Sequence, residues 1–488
     1  MRRRLAASSG NSPGATSSAR SAGWGVAPGD LPVVPVEVDL GEPLSRLAVT
    51  CAQLRAGGVG TVLVLVRLHT HPLGFIVLDT EVGGSSRACA QAVRATLGEA
   101  VDAHLVMDGL APGEPLAADG CPTPTPLTCL HRRAAALAQA PAASVIVATR
   151  NRPESLAACL GSLLRLDYPR YEVIVVDNDP DDEVTAEMVR TRFGAYPQIR
   201  YVREQVRGLG AAHNRGVIEA QGSILAFTDD DVIVDSQWLA ALAEGFTATD
   251  EVGCVTGLIL PAALETPAQI IIERYCGFGK GFAPRIVDRG GNRPADPLFP
   301  FAAGRFGSGA NMAFDAALLR ELGGFDPATG AGTFARGGDD LLAFFRVIAC
   351  GRSLVYQPDA LIWHYHRREL AGVRAQAYGY GVGLGAYLAG ALAHEPAMWL
   401  ALLHRLPAGL AYAFSRSSQR HLGQYAAWPQ EYAAWPKELA RLERRGLLWG
   451  PVAYTVSRWR TRGVQRRTAA LLASPTMASA AEVEALRD

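Results

Sequence analysis

The chain has 488 residues, 49% of them hydrophobic, with 47 basic and 47 acidic side chains. That length suits roughly two to four domains with a sizeable core, and with a net charge of zero nothing in the bulk charge points to nucleic acid, which is not expected as a partner. Eight cysteines without a CxxC spacing, and no apolar run behind the N-terminal arginines, read as reduced thiols of a cytoplasmic protein.

In chain order, residues 1–30 are rich in Ser, Gly and Arg and are expected to be a disordered tail. Residues 31–110 read as a small α+β domain: strands at VPVEVDL, GTVLVLVRLH and LGFIVLDTEV, then a helix at SSRACAQAVRATLGEAVDAHL with a Ser N-cap. Nothing in it suggests catalysis. Residues 111–142 read as a Pro-rich linker.

From residue 143 strand and helix patterns alternate. ASVIVATR, YEVIVVDND, QIRYVRE and SILAFTDDD are short apolar runs, separated by PESLAACLGSLLRL, a helical stretch at 181–193, and GLGAAHNRGVIEAQG. That alternation predicts crossover connections and a mostly parallel sheet with helices on both faces. Ligands of such sheets collect beyond the carboxyl ends of the strands. Polar residues cluster at those ends: Thr149-Arg150-Asn151, Asp177-Asn178-Asp179 and Asp229-Asp230-Asp231. Three adjacent carboxylates ending a buried strand repel one another unless a cation joins them. Mg²⁺ or Mn²⁺ takes carboxylate oxygens and completes its shell with substrate phosphates and water, and so neutralises a diphosphate leaving group. The competing reading is a solvated acidic loop before the helix QWLAALAEGF; the companion clusters favour the metal.

Beyond residue 250 come GCVTGLILP, a Gly- and Pro-rich region, and a basic helical end, with 16 Lys or Arg against 8 Asp or Glu from Arg367 onward. YAAWPQE at 425–431 is repeated at once as YAAWPKE, too short a duplication for a repeat fold. No stretch has the ~18 apolar residues of a membrane span. The basic, Trp-containing end suits either an interfacial helix on anionic lipid or a helical subdomain packed on its neighbour.

Residues 143–368 resemble the family 2 glycosyltransferases, with the GT-A Rossmann-like fold, in SVIVATRNRPESLAACLGSLL, YEVIVVDND, GLGAAHNRGVIEAQGSILAFTDDDV, GSGANMAFDAALLRELGGFD and GGDDLLAFFRVIACGRSLVYQPDALIWHYH. Residues 369–488 then form a helical basic C-terminal region. The resemblance implies inverting, non-processive transfer of a sugar from a nucleotide-diphosphate sugar to an acceptor hydroxyl. The acceptor would be a carbohydrate, a lipid-linked molecule or another small hydroxyl compound, as in cell-envelope polysaccharide synthesis. It places Thr149, Arg150, Asn151, Asp177, Arg215, Asp229 and Asp230 on the nucleotide sugar. Asp231 and His364 would hold the metal, with Mn²⁺ slightly favoured over Mg²⁺ by the imidazole. Asp340 would be the general base, needed because a hydroxyl is a poor nucleophile until its proton is accepted. Asp339 replaces the family's usual Glu and, with Asn311 in GSGAN, is assigned to the acceptor or sugar; a turn role for Asn311 competes.

Three rival functions weigh less. A nucleotidyltransferase needs a Gly-rich triphosphate loop after the first strand, which ATRNRPESL lacks. A non-catalytic sugar- or partner-binding protein would not need the full set of carboxylates. A processive synthase expects membrane spans and QxxRW, whereas Arg458-Trp459 follows Thr455. The expected location is cytoplasmic, with peripheral contact at the inner face of the plasma membrane through the C-terminal region.

Overall fold

The computed structural model describes residues 26, 28–112, 116–121, 127–276, 278–414 and 435–473. Most of the tail expected to be disordered and the first YAAWP copy lie outside the described residues.

The N-terminal domain is a three-stranded sheet: β1 (Val33–Asp39) runs parallel to β2 (Thr61–Leu68), and β2 antiparallel to β3 (His71–Asp79). A helix at Ser45–Ala56, which the periodicity did not suggest, supplies the crossover that parallel pairing needs. The helix Ser86–Met107 begins where expected, with Ser85 Oγ accepting from the Ala88 amide. Val62, Val64, Val66, Ile76, Leu78 and Val93 fill the core between sheet and helices. Each such side chain contributes about 1.5–3 kcal/mol on burial.

The expected linker is not structureless. Thr128–Ala138 is a helix, because beyond the prolines the sequence turns to Ala, Leu and Arg, all good helix formers. Its Arg133 is buried and reaches Glu244 and Asp359 of the next domain.

The large sheet has nine strands. β4 (Ala143–Thr149), β5 (Tyr171–Asn178), β6 (Ile199–Glu204) and β7 (Ile224–Asp229) form its parallel part, in the order β7-β4-β5-β6. β4, β5 and β7 are buried on both faces, so their apolar runs are continuous. The other part is mixed. β8 (Val232–Val234), β9 (Val252–Pro261), β10 (Arg285–Val287), β11 (Asn311–Asp315) and β12 (Ser353–His364) follow, with order β10-β12-β9-β11-β7 and β8 on β12. β11 is antiparallel to both neighbours, so the sheet is less uniformly parallel than the strand–helix alternation predicts. Two cores flank it, one around Trp238, Leu160 and Val175, the other around Phe227, Phe314 and Phe344.

Register decides what the sheet presents. Thr149 pairs with Asp177, Ala148 with Asp229, Thr228 with Asn311 and Val232 with His364. Four strands therefore end on one rim.

The C-terminal region is helical, at Leu370–His394, Trp399–Phe414 and Trp435–Ala473. The first and last lie backbone to backbone: a Cβ on Gly450 would sit 2.5 Å from the Gly385 Cα. His394 and Tyr454, one from each, both bond Asp326 Oδ2, at 2.9 and 2.8 Å, which fixes the pair to the sheet domain. No helix among the described residues is long and apolar enough to cross a membrane.

Candidate active site

A cavity of about 1260 Å³ opens beyond the strand ends, between the rim and the C-terminal helices. Thr149, Arg150, Asp229, Asp230, Asp231, Asp339, Asp340 and His364 line it, whereas Asn151, Asp177, Arg215 and Asn311 do not.

The aspartate triplet divides by direction, as side chains at the end of a strand must. Asp229 and Asp231 face His364, and one ligand atom from each of the three lies within 4.8 Å of the others. His364 Nε2 is 3.2 Å from Asp231 Oδ1. Burial, then the neighbouring Asp231 charge, pushes Asp229 up to about 7. Burial opposes the charged form of Asp231 too, but the hydrogen bond and charge of His364 hold it below the ordinary carboxylate range. Burial likewise opposes the His364 imidazolium, and Asp231 outweighs it and raises the imidazole. Two carboxylates and an imidazole crowded together, one carboxylate poorly able to ionise, match the donor set of a Mn²⁺ or Mg²⁺ site.

Asp230 turns the other way and is 4% exposed. It accepts from Thr149 Oγ1 at 2.7 Å and from Arg152 Nη1 at 2.9 Å, and Arg152 also lies 3.2 Å from Asp231 Oδ2. Burial lifts Asp230, and Arg152 limits the rise. Thr149 and Asp230 thus spend their side chains on each other. Arg152, to which the sequence reading gave no site role, braces the triplet; its signal was the second arginine of TRNRP.

Asn311 corrects the sequence expectation most clearly. It is fully buried, donates from Nδ2 to the carbonyls of Leu258 (3.0 Å) and Ala360 (2.7 Å), and accepts from the Trp238 indole at 2.9 Å. Nothing remains for a sugar: it ties β11 to β9, β12 and the Trp238–Gly245 helix. Arg215 pairs with Glu219 along its own helix at 2.7 Å. Asp177 is buried against the Tyr201 hydroxyl at 2.7 Å, and burial raises its carboxyl; the next residue, Asn178, lines the cavity instead. Arg150 donates to the Asp179 carbonyl and to Asp181, and Asn151 also reaches Asp181.

Asp340 is the second residue of the Asp339–Ala349 helix. The amides of Gly309 and Leu341 donate to its Oδ2 and Oδ1, each at 2.8 Å. Burial first, then the Asp339 charge, pushes it up to about 6. Asp339 is 5% exposed, with its Oδ2 3.5 Å from His213 Nδ1. Gly338 makes this entry possible. Its φ is +86°, and a Cβ would meet the Gly383 carbonyl oxygen at 2.4 Å.

Sequence reasoning also missed the support behind His364. His366 Nδ1 is 3.1 Å from His364 Nδ1, and its Nε2 bonds the buried Glu273. Alternation in LIWHYHR placed both rings on one side, but Glu273 lies far off in sequence. Arg207, Arg285, Arg305, Arg336, Arg367 and Lys280 add positive charge to the wall, and Tyr380, Leu384 and Tyr387 of the C-terminal region close it.

The family model "Glycosyl transferase family 2" matches residues 144–308, which span the parallel strands, the aspartate triplet and the loop before Gly309. Glycosyltransferase AglE of Haloferax volcanii is 37% identical over 102 residues, 20% of this chain and 33% of that protein. Pre-mycofactocin glycosyltransferase of Mycobacterium tuberculosis is 26% identical over 239 residues, 49% of this chain and 46% of that one. The chain thus spans less than half the length of either relative. Mannosyltransferase PcManGT from Pyrobaculum calidifontis, solved in complex with GDP-Man and Mn²⁺, aligns over 64% of this chain and 88% of that one, at 22% identity and a TM-score of 0.43. The match falls on the strands that build the acidic rim, and residues 144–308 are thus a glycosyl transferase family 2 domain.

Proposed function

We propose that the chain transfers a sugar from a nucleoside-diphosphate sugar to an acceptor hydroxyl, with inversion and with a divalent cation. The observation that carries this reading is the placement of Asp229, Asp231, His364 and Asp340 on one arginine-lined cavity. Asp229, Asp231 and His364 would hold the cation, which when bound neutralises charge on the departing diphosphate. Arg150 and Asn178 stand where the nucleotide half would lie.

Asp340 acts as general base. Its two amide donors fix its direction, and a carboxyl raised to about 6 accepts a hydroxyl proton better than an ordinary carboxylate while staying ionised near neutrality. Inversion requires the base on the sugar face opposite the leaving group, the logic that also separates the two carboxylates of inverting glycosidases.

The acceptor enters beside the C-terminal helices and is amphipathic or lipid-linked. On Trp399–Phe414, Trp399, Leu400, Leu403 and Leu406 are all exposed, and Leu406 also lines the cavity. An apolar stripe at a cavity mouth suits an anionic membrane surface carrying the acceptor.

A panel of nucleoside diphosphates tested by thermal shift with and without Mn²⁺ checks the donor half. One base should stabilise the chain, and only with metal. Donor hydrolysis by wild type and Asp340→Asn separates enzyme from binding module, since a binding module shows no turnover to lose. No metal-dependent shift with any base would remove the reading.

A further inference from the structure

A second group of ligating side chains lies outside the cavity, in the N-terminal domain. His69 comes from the β2–β3 turn, and His104 and Asp108 lie one turn apart at the end of the Ser86–Met107 helix. Cys129 is the second residue of the Thr128–Ala138 helix. Asp108 Oδ2 is central: 2.9 Å from His69 Nδ1, 3.0 Å from Cys129 Sγ and 3.3 Å from His104 Nε2. Cys129 Sγ is 3.9 Å from His69 Nδ1, and one ligand atom from each residue lies within 4.8 Å of all the others. Exposure is 4% for His69 and His104, 7% for Cys129 and 9% for Asp108.

Hydrogen bonding alone leaves this group incomplete. Asp108 Oδ1 takes the Cys129 amide at 2.8 Å, and Oδ2 takes the thiol and His69. His104 Nε2, buried and aimed at the same oxygen, has no hydrogen-bond partner among the described residues. A buried nitrogen of this kind carries a desolvation cost unless something binds it.

We propose that His69, His104, Asp108 and Cys129 form a structural zinc site that joins the N-terminal domain to the Thr128–Ala138 helix. Two imidazoles, a thiolate and a carboxylate are all zinc ligands. A tetrahedron with Zn–N and Zn–O of about 2.0–2.2 Å and Zn–S of about 2.3 Å holds its ligand atoms about 3.3–3.7 Å apart. Four of the six separations lie between 2.9 and 3.9 Å and the others within 4.8 Å, so side-chain shifts of about an ångström complete the site. Mg²⁺ and Ca²⁺ prefer oxygen donors and do not suit the thiolate. Four protein ligands in a buried setting leave no open position for substrate, which marks the site as structural. Zinc displaces the thiol proton now shared with Asp108, which leaves to solvent, and His69 binds through Nδ1 as the tautomer that carries its proton on Nε2. The Cys129 amide on Oδ1 is then an outer contact that orients the carboxylate. The gain is placement: Arg133, one turn further along the same helix, reaches Glu244 and Asp359 of the large sheet domain. The inference does not depend on the transferase reading.

The test uses the full chain, expressed with zinc in the medium, purified without a metal-affinity column and dialysed against a weak chelator. Elemental analysis should find about one zinc per chain in wild type and in Asp231→Asn, and little in Cys129→Ser or His104→Gln. Cobalt uptake by the zinc-stripped wild type should give a thiolate-to-cobalt charge-transfer band. That spectrum decides the matter even if the variants fail to fold. A wild-type chain that holds no zinc and shows no such band overturns the proposal. So does zinc kept by both Cys129→Ser and His104→Gln, or zinc lost in Asp231→Asn alone.

Discussion

His364 Nε2 lies 3.2 Å from Asp231 Oδ1, and the other face of the same imidazole meets His366, which in turn is held by Glu273. A strand end, a loop carboxylate and a helix from elsewhere in the chain thus fix one ring. Such outer partners set ring direction and basicity, and their removal typically costs 10–100-fold in metal affinity. Glu273→Gln should therefore raise the Mn²⁺ concentration for half-maximal activity by about 10-fold or more, with kcat restored at saturating metal. Metal titration of initial rates reads this directly; an unchanged metal requirement would remove His364 from the site.

Asp340 should control the acid limb of the reaction. Its folded carboxyl, raised to about 6 by burial and by Asp339, must be ionised to accept a proton, so kcat/KM should rise with pH through about 6 and level off above. Asp340→Asn should lower kcat by about 10²–10⁴-fold and abolish that limb.

The same shift has a consequence for stability, with a definite sign. An aspartate unfolded near 3.9 and folded near 6 makes the folded chain bind more protons across that interval, so stability falls as pH rises through it. Above pH 6 the ionised Asp340 costs on the order of 2–3 kcal/mol. Asp340→Asn should melt higher than wild type at pH 7.5 and no higher below pH 4. Melting curves at the two pH values test this, and an equal shift at both would point to a different cause.

Asn311 is expected to matter for folding and not for substrate. Asn311→Ala strands two buried carbonyls and the Trp238 indole N–H, each at about 1–3 kcal/mol. Denaturation should show a large loss of stability, while the folded fraction keeps wild-type KM for donor and acceptor. A raised KM without loss of stability would return Asn311 to the sugar site.

The contact between the C-terminal helices can be probed at Gly450, where a Cβ meets backbone of Gly385, Ala386 and Val382 at 2.5–2.6 Å. No rotamer relieves such a clash, so Gly450→Ala should lower Tm by several degrees, in line with the ~1–3 kcal/mol cost of overpacking. Gly463, in the same helix with nothing within 4 Å of its Cβ position, is the matched control. Gly463→Ala should be neutral or gain up to about 1 kcal/mol.

Local pattern was enough to expose the acidic rim. Strand period and turn residues are short-range properties, so ILAFTDDD announced a buried strand ending in carboxylates, and alternation in LIWHYHR put His364 and His366 on one side. Asp230, assigned with Asp229 to the nucleotide sugar, instead folds onto Thr149 and Arg152. The helix at Thr128–Ala138 was hidden by its proline-rich neighbours, although its own composition favours it.

What the chain could not announce locally is which distant groups meet. The partners of Asn311 come from residues 238, 258 and 360, and only the packing of those elements decides that they take both of its amide protons and bury it. His69, His104, Asp108 and Cys129 have no motif spacing, and a turn and two helices bring them together. Propensity and periodicity act over a few residues, so the sequence by itself settles elements and strand-end chemistry. Contacts between groups tens of residues apart depend on how those elements pack, and that packing makes Asn311 a brace and four scattered side chains a cluster.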